Sequence, residues 1–563
     1  MNSPRRCFVL FFLCVGVACA AEVPVKVVPV IAAHGMVVAG HPQATEIGLN
    51  VLKSGGNAID AAVATSLALG VAEAYGSGLG GKLMLLYYEA KSGRTFAVDA
   101  MDAAGTFDAD RYRARPVADR TNGYGAVCVP GLGAGLWAAH QKWGAKKWAD
   151  TVQPAIALAR AGAVVLPKTR DLFAEVETRL RRGDAEIARL FLPRGALPEE
   201  GSLLRNEDLA RTLELFAAQG RDGFYRGAVA EAIVAAAEKG GGVLTRDDFA
   251  RYEARLGEPV QMEFRGNRIL SAPPPAMGAA LFLPALKVME TEALGSGLLR
   301  TPANLDLLGR VWGLATPAAW NLIGDAPEAR FNFERLVAPD TIRAIRAKIS
   351  VPAPARKVAA WEENPFYESA HAATTHFIVV DAQGDIVCAT QSLSLHFGAG
   401  VVAPSTGVVL NNSMSNFVFT DPNHPSALAP GKRPRSTIAP TIVFRAGKPV
   451  LALGIPGAAR IPTALFQVLL DRLALGRPLA EAIGDTRVHY ATTARDDTVT
   501  FEAEQSLGAV EAESLRALGW KVELTEAAGR GRYFGGINAV EINADGSRTG
   551  YADPRRTNAA AGY

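Results

Sequence analysis

Cysteine is scarce in this chain and unevenly placed. Of five cysteines, Cys7, Cys14 and Cys19 fall within the first twenty residues, leaving Cys128 and Cys388 for the rest of the 563. Two thiols make no disulfide framework in so long a chain. Both sit in apolar runs, Ala126–Val129 and Ile386–Ala389, that suit small buried side chains. The eight histidines are scattered, with no HExxH, and CxxC is missing, so neither a metal site nor a cofactor is expected. There is no long basic run: 59 Lys and Arg nearly balance 56 Asp and Glu, which leaves no nucleic-acid footprint. No G-x-S-x-G is present to mark a serine hydrolase of the strand–elbow–helix kind. Beyond the first residues no apolar segment is long enough to span a bilayer, and no tandem repeat appears.

What is present suits a large globular enzyme acting on a small partner: 49% hydrophobic and 20% charged residues can bury an extensive core. Residues 1–20 read as a secretory signal, with Arg5 and Arg6, an apolar Cys7–Val17 stretch and an Ala18-Cys19-Ala20 cleavage site. The mature protein is therefore expected outside the cytoplasm, periplasmic or secreted. A lipid anchor at Cys19 is the weaker reading, because Gly16 stands where such signals carry Leu.

Apolar spacing predicts a helix over Gln43–Lys53, and Asn57 is placed to cap a second over Ala58–Ala72. Helical patterns recur at Val152–Ala161 and Ala228–Glu238, and Gln261–Ser271 reads as one strand before Pro273-Pro274-Pro275. Residues 351–357 turn to Pro, Ala and Val and read as an exposed linker. From Thr374 onward strands prevail: Thr374–Asp381, Ile386–Ser394, Gly407–Asn411, Thr441–Arg445, Val450–Leu453, Ala539–Ile542 and Thr549–Ala552, with a helix at Pro462–Leu473.

One hairpin gathers hydroxyls. Asp381-Ala382-Gln383-Gly384-Asp385 suits a type I turn with Gly384 left-handed. If Asp381 opposes Asp385, counting back along both strands sets Thr374 opposite Ser392. Alternation then puts Cys388, Thr390, Ser392 and Ser394 on one face. Thr and Ser also simply suit strands, and a one-residue slip would dissolve the pairing. A decoy lies upstream: Gly76-Ser77-Gly78-Leu79-Gly80-Gly81 contains G-x-G-x-x-G, with Asp99 at a dinucleotide-like distance. Its context is inverted, helix before and strand-like Leu83–Tyr88 after, so a tight turn is expected.

An ordered set of segments resembles the γ-glutamyltranspeptidase family of N-terminal-nucleophile hydrolases. Thr374-Thr375-His376 matches its TTH motif and Asn411-Asn412-Ser413-Met414 its NN-x-M. Lys432-Arg433-Pro434-Arg435-Ser436-Thr437 is similar to KRPLSS, and Gly454-Ile455-Pro456-Gly457-Ala458 to GSPGG. The stretches Leu52–Ala62, Val129–Gly131, Ser271–Pro275 and Ala552–Tyr563 match as well.

The resemblance implies an α+β fold, a four-layer αββα sandwich, built from a precursor that cleaves before Thr374. Residues 21–373 would form the large chain and 374–563 the small one, the two together making one domain. Thr374 would be the nucleophile, with Ser392 as its hydroxyl partner. Gly457 and Ala458 would form the oxyanion hole, and Ser436 and Thr437 would bind a substrate carboxylate. Chemistry agrees: a threonine hydroxyl is a poor nucleophile, and a freed α-amine on the same residue is a nearby base.

The chain departs from the family where an amino acid is read. Met101 takes the place of the carboxylate-holding Arg, Asn416 that of an ammonium-holding Asp, and Ser394 that of an Asn. The Phe417–Lys432 stretch is also short for a lid, which implies a more open site. Lys82 and Arg435 are non-standard for their motifs and are expected in surface salt bridges or, as a second reading, as replacement charges. The expected function is cleavage or transfer of γ-glutamyl or related glutaryl-type amides, with a small-molecule amide or peptide as partner. A catalytically silent scaffold is the rival, disfavoured by intact Thr374, Ser392 and Gly457.

Overall fold

The computed structural model describes residues 25–349, 372–492, 499–525 and 531–563. The signal at 1–20 and the linker at 351–357 lie outside the described residues. Two seven-stranded sheets dominate. The first runs Val30–Ala32, Arg548–Ala552, Asn538–Ile542, Lys448–Gly454, Thr441–Arg445, Asn267–Ser271, Val260–Phe264. The second runs Ala559–Gly562, Met36–Ala39, Ala372–Val380, Ile386–Leu395, Lys82–Glu89, Arg94–Ala100, Arg255–Gly257.

Three cores fix the layering. Between the sheets, Ile378, Val380, Ile386, Cys388 and Leu86 meet Ile442, Phe444, Ala452 and Val540. On the outer face of the second sheet, Phe377, Val379, Val387 and Leu85 pack on the helices Pro42–Lys53 and Ala58–Ala72. On the outer face of the first, Val443, Leu451 and Leu453 pack on Gly278–Val288 and Arg460–Leu473. The product is helix, sheet, sheet, helix, the four-layer sandwich expected. Alternation assigns the even-numbered residues from Thr374 to Val380 to the space between the sheets and the odd-numbered ones to the helices.

The helix over Ala58–Ala72 begins with a capping box, Asn57 accepting from Asp60 N–H and the Asp60 carboxylate from Asn57 N–H. Being apolar all round, it is buried all round. The single strand expected over Gln261–Ser271 is instead two, Val260–Phe264 and Asn267–Ser271, because Arg265 and Gly266 both take positive φ and reverse the chain. Gly407–Asn411 forms no strand; only an isolated bridge joins Val409 to Val402. Cys128 and Cys388 are free and buried. Among the described residues no helix is long and apolar enough to cross a membrane.

Candidate active site

The hairpin turn forms as its residues require: Asp381 N–H donates to Asp385 O at 3.1 Å, and Gly384 takes φ 89. From there Val380 pairs with Ile386 and each rung follows down to Thr375 opposite Gln391. Then the register shifts, and Ala373 pairs with Ser394. Ser392 and Leu393 together oppose Thr374, a β-bulge, and such bulges re-aim side chains. The spare Leu393 N–H donates to Gly76 O at 3.1 Å. The glycine-rich turn is therefore a prop for the bulge, and it needs glycine: a Cβ on Gly81 would lie 2.4 Å from Ser392 O.

At the bulge the two expected hydroxyls meet. Thr374 Oγ1 lies 3.1 Å from Ser392 Oγ and 2.6 Å from the carbonyl oxygen of Ala373. Ser392 Oγ in turn donates to Ala373 O and accepts from Ser394 N–H at 2.9 Å. A relay results: Thr374 can donate to Ser392 while Ser392 donates to the carbonyl directly before Thr374. Arg556, in the closing segment, donates to Thr374 O at 3.1 Å.

His376 of the TTH motif does different work. Its ring lies between the sheets, Nδ1 2.8 Å from Thr390 Oγ1 and Nε2 3.6 Å from Cys388 Sγ. Complete burial pulls its pKa down to about 3, so it stays neutral and is no acid–base partner of the threonine. The ring fills the space above Gly454, where a Cβ would fall 2.2 Å from Cε1. The strand running into Gly457 thus crosses Ala372–Val380 two residues from Thr374.

Past Gly454 the chain turns into the helix Arg460–Leu473 through Gly457 at φ 145 and Ala458 at φ 48. The left-handed Ala458 stands where the family pattern has glycine, a strain of roughly 1–2 kcal/mol. Neither N–H of this pair is taken by an acceptor among the described residues, which leaves both free for an oxyanion. Thr437 Oγ1 donates to Ala458 O at 2.8 Å, tying the Ser436–Thr437 segment to the same loop. In this state Thr437 spends its proton on the loop, whereas the Ser436 hydroxyl is engaged by no other described residue.

Beside the hydroxyl pair lies a polar cluster that sequence reasoning only half found. Ser394, at φ 79, turns its hydroxyl to Lys82 Nζ at 2.5 Å, Ser413 Oγ at 3.0 Å and Asn416 Nδ2 at 3.1 Å. Lys82 also reaches Ser413 Oγ at 2.7 Å and Asp102 at 3.4 Å, and Ser413 donates to Asp102 at 2.5 Å. Lys82 is 1% exposed, so the expected surface salt bridge is wrong. Arg435 is buried too, its guanidinium over the Trp320 ring at 5.5 Å. Burial pushes the Asp102 carboxyl up to about 6 against the pull of Lys82. Met101 is fully buried in the core, its carbonyl accepting from Tyr252 Oη at 2.5 Å. The short Phe417–Lys432 stretch folds back on itself, Val418 N–H donating to Ser426 O at 2.9 Å.

This arrangement can activate a hydroxyl, stabilise an oxyanion and read a polar acyl tail, and its parentage is recognisable. The model of the gamma-glutamyltranspeptidase family matches residues 44–563. The chain belongs to this family. It is 30% identical over 548 residues to the glutathione hydrolase proenzyme of Bacillus subtilis strain 168, covering 94% of this chain and 91% of that protein. It is 33% identical over 539 residues to the acylase ACY 1 proenzyme of Pseudomonas sp. strain SE83, covering 93% and 92%. The crystal structure of a cephalosporin acylase from Bacillus halodurans superposes with a TM-score of 0.84 at 26% identity, covering 97% and 98%. Family membership carries the N-terminal-nucleophile sandwich and makes the chain a hydrolase or transferase acting on γ-glutamyl or other acyl amides.

Proposed function

We propose that this chain is an exported precursor that cuts itself between Ala373 and Thr374 and then works as an amidohydrolase or acyltransferase through an acyl-Thr374 intermediate. The observation that carries the reading is the contact of Thr374 Oγ1, Ser392 Oγ and the Ala373 carbonyl in the uncut chain. In maturation, Thr374 Oγ1 bonds to the Ala373 carbonyl carbon while the peptide C–N bond breaks. The hydroxyl proton ends on the released Thr374 amine. Ser392 donates to the oxygen that becomes the oxyanion. Water then adds to the ester carbon, restoring the Thr374 hydroxyl and leaving a carboxylate on Ala373. The proenzyme names of the two relatives support processing.

In turnover the new α-amine, with an ordinary pKa of about 7.7–8.0, is the base for the adjacent hydroxyl. A substrate acyl carbon takes the position Ala373 left, its oxygen facing Gly457 and Ala458 N–H, and the amine leaves with the proton. Water, or a second amine in transfer, releases the acyl group. Residues 21–373 and 374–563 would be the large and small chains of one domain.

For the acyl group, Met101 and Asn416 have lost the two charges that hold a zwitterion, and charge-assisted hydrogen bonds contribute about 1.5–3 kcal/mol each. A glutaryl-type amide therefore fits better than a γ-glutamyl one, with Ser436 and Thr437 at the carboxylate. A screen of purified protein against anilides differing only in the acyl part tests this. Turnover of glutaryl over γ-glutamyl anilide is expected; a clear γ-glutamyl preference, or no turnover of any acyl anilide, contradicts it.

A further inference from the structure

Four strands bring Thr374, Ser392, Lys82 and Met101 into one row. Ser392 pairs directly with Lys82, and on the next ladder Leu83 pairs with Ala100, so Met101 follows beside Lys82. All four side chains fall on the face between the sheets, with Met84, Leu86 and Cys388. The cation missing at Met101 thus reappears in the same row, one strand closer to Ser392.

Its partners define what the wall can bind. A serine hydroxyl offers one proton and two lone pairs. Lys82 and Asn416 occupy both lone pairs of Ser394. Ser394 can then only donate, either inward to Ser413 or outward to a substrate oxygen. Asp102, the counter-charge of Lys82 among the described residues, spends one oxygen on Lys82 and Ser413.

We propose that Lys82 determines acyl specificity: by making the Ser394 wall donor-only and cationic, it admits an acyl group that presents oxygen there and turns away one that presents an α-ammonium. This rests on the site proposed above and names its substrate class as a monoamide of a dicarboxylic acid lacking an α-amine. An ammonium entering beside Ser394 finds no lone pair and meets a like charge among the buried Lys82, Ser413 and Asn416, where charges interact strongly. A carboxylate held by Ser436 and Thr437 would meet, on this side, a further donor in Ser394 and the cation behind it. A merely structural Lys82, serving to neutralise Asp102, would leave this discrimination unmoved by its removal.

The test is calorimetric titration of the processed protein with glutarate and with L-glutamate, which differ in the α-ammonium and need no turnover. Glutarate is expected to bind at least about tenfold more tightly, a step that corresponds to one added charge–charge interaction. The Lys82→Met/Asp102→Asn double variant removes both buried charges and should bring the two affinities to within about twofold. Lys82→Arg keeps the cation and should keep the preference. Equal or tighter binding of L-glutamate by the wild type, binding of neither ligand at millimolar concentration, or an unchanged ratio in a folded double variant overturns the proposal. Should the double variant not fold, Lys82→Met alone is titrated, and an unchanged ratio there overturns the proposal. A protein that binds glutarate selectively yet cleaves no anilide would refute the amidase reading while leaving this one standing.

Discussion

Replacing Ser392 by alanine puts the geometry at the bulge to quantitative test. Its hydroxyl accepts from Thr374 Oγ1 and Ser394 N–H and donates to Ala373 O. Removing it takes away the donor to the oxygen that would become an oxyanion in the proposed self-cleavage, and loss of one such donor costs about 2.7–4 kcal/mol in the transition state. The uncut chain loses the same bond in its neutral form, about 0.5–1.5 kcal/mol, which offsets part of the rise in barrier. The net increase is about 2 kcal/mol, so cleavage should slow roughly thirtyfold. Cell-free synthesis followed by gel analysis against time measures the half-time of the two-fragment product, and circular dichroism checks the fold. Ser392→Thr keeps the hydroxyl and should cleave nearer the wild-type rate. A folded Ser392→Ala protein that matures at the wild-type rate would refute the relay, and with it the placement of Ser392 against the Ala373 carbonyl.

Three further outcomes follow from the same contacts. Gly454→Ala pushes a methyl group into the His376 ring between the sheets; overpacking of this kind costs about 1–3 kcal/mol, so thermal unfolding of the folded precursor should shift down by about 1–3 °C in a chain of this length, and an unchanged midpoint would show the ring elsewhere. Asn416→Asp sets a carboxylate beside Ser394 and Lys82, which should raise kcat/KM for γ-glutamyl relative to glutaryl anilide by about tenfold; a ratio that stays put counts against the charge argument. Asp102 has its carboxyl raised to about 6, so as pH falls through 6 it takes up a proton and leaves Lys82 without a counter-charge. The other titratable groups that sense Asp102 are neutral there, since burial pushes Cys128, Tyr225 and Tyr252 all upward. The glutaryl to γ-glutamyl ratio of kcat/KM should therefore rise on acidification, with loss of the common amine-protonation effect in the ratio; a flat ratio between pH 7 and about 5.5 would contradict it.

The sandwich was legible because its signals are local. Asn57 with Asp60 marks a helix start, and Asp381-to-Gly384 marks a hairpin whose counting leads straight to Thr374 and Ser392. That count holds rung by rung to Thr375 and then meets a bulge it could not foresee, because the extra residue is accommodated by Gly76 from a distant turn. The same locality explains the missed hairpin at Arg265-Gly266, where a positive φ on arginine has no compositional signature.

The site was half legible. Motif positions pointed to Thr374, Ser392, Ser394, Asn416 and the Gly457–Ala458 loop, and the structure gathers the first four around one row of strands. Ser413 lay inside a quoted motif without a role and Asp102 directly after Met101, since their meaning depends on a lysine from a third segment. A lysine in sequence reads as surface; only strand pairing beyond the hairpin, Ser392 with Lys82, reveals it as a buried neighbour of Ser392.

The central claim is that Thr374 cuts the chain before itself and then serves as the nucleophile. Mass analysis and N-terminal sequencing of the purified protein test it most directly. The account predicts two fragments, the smaller beginning at Thr374, and a single uncut chain for Thr374→Ala. A Thr374→Ala protein that still splits between Ala373 and residue 374, or a wild-type protein that stays whole while cleaving acyl amides, would contradict it.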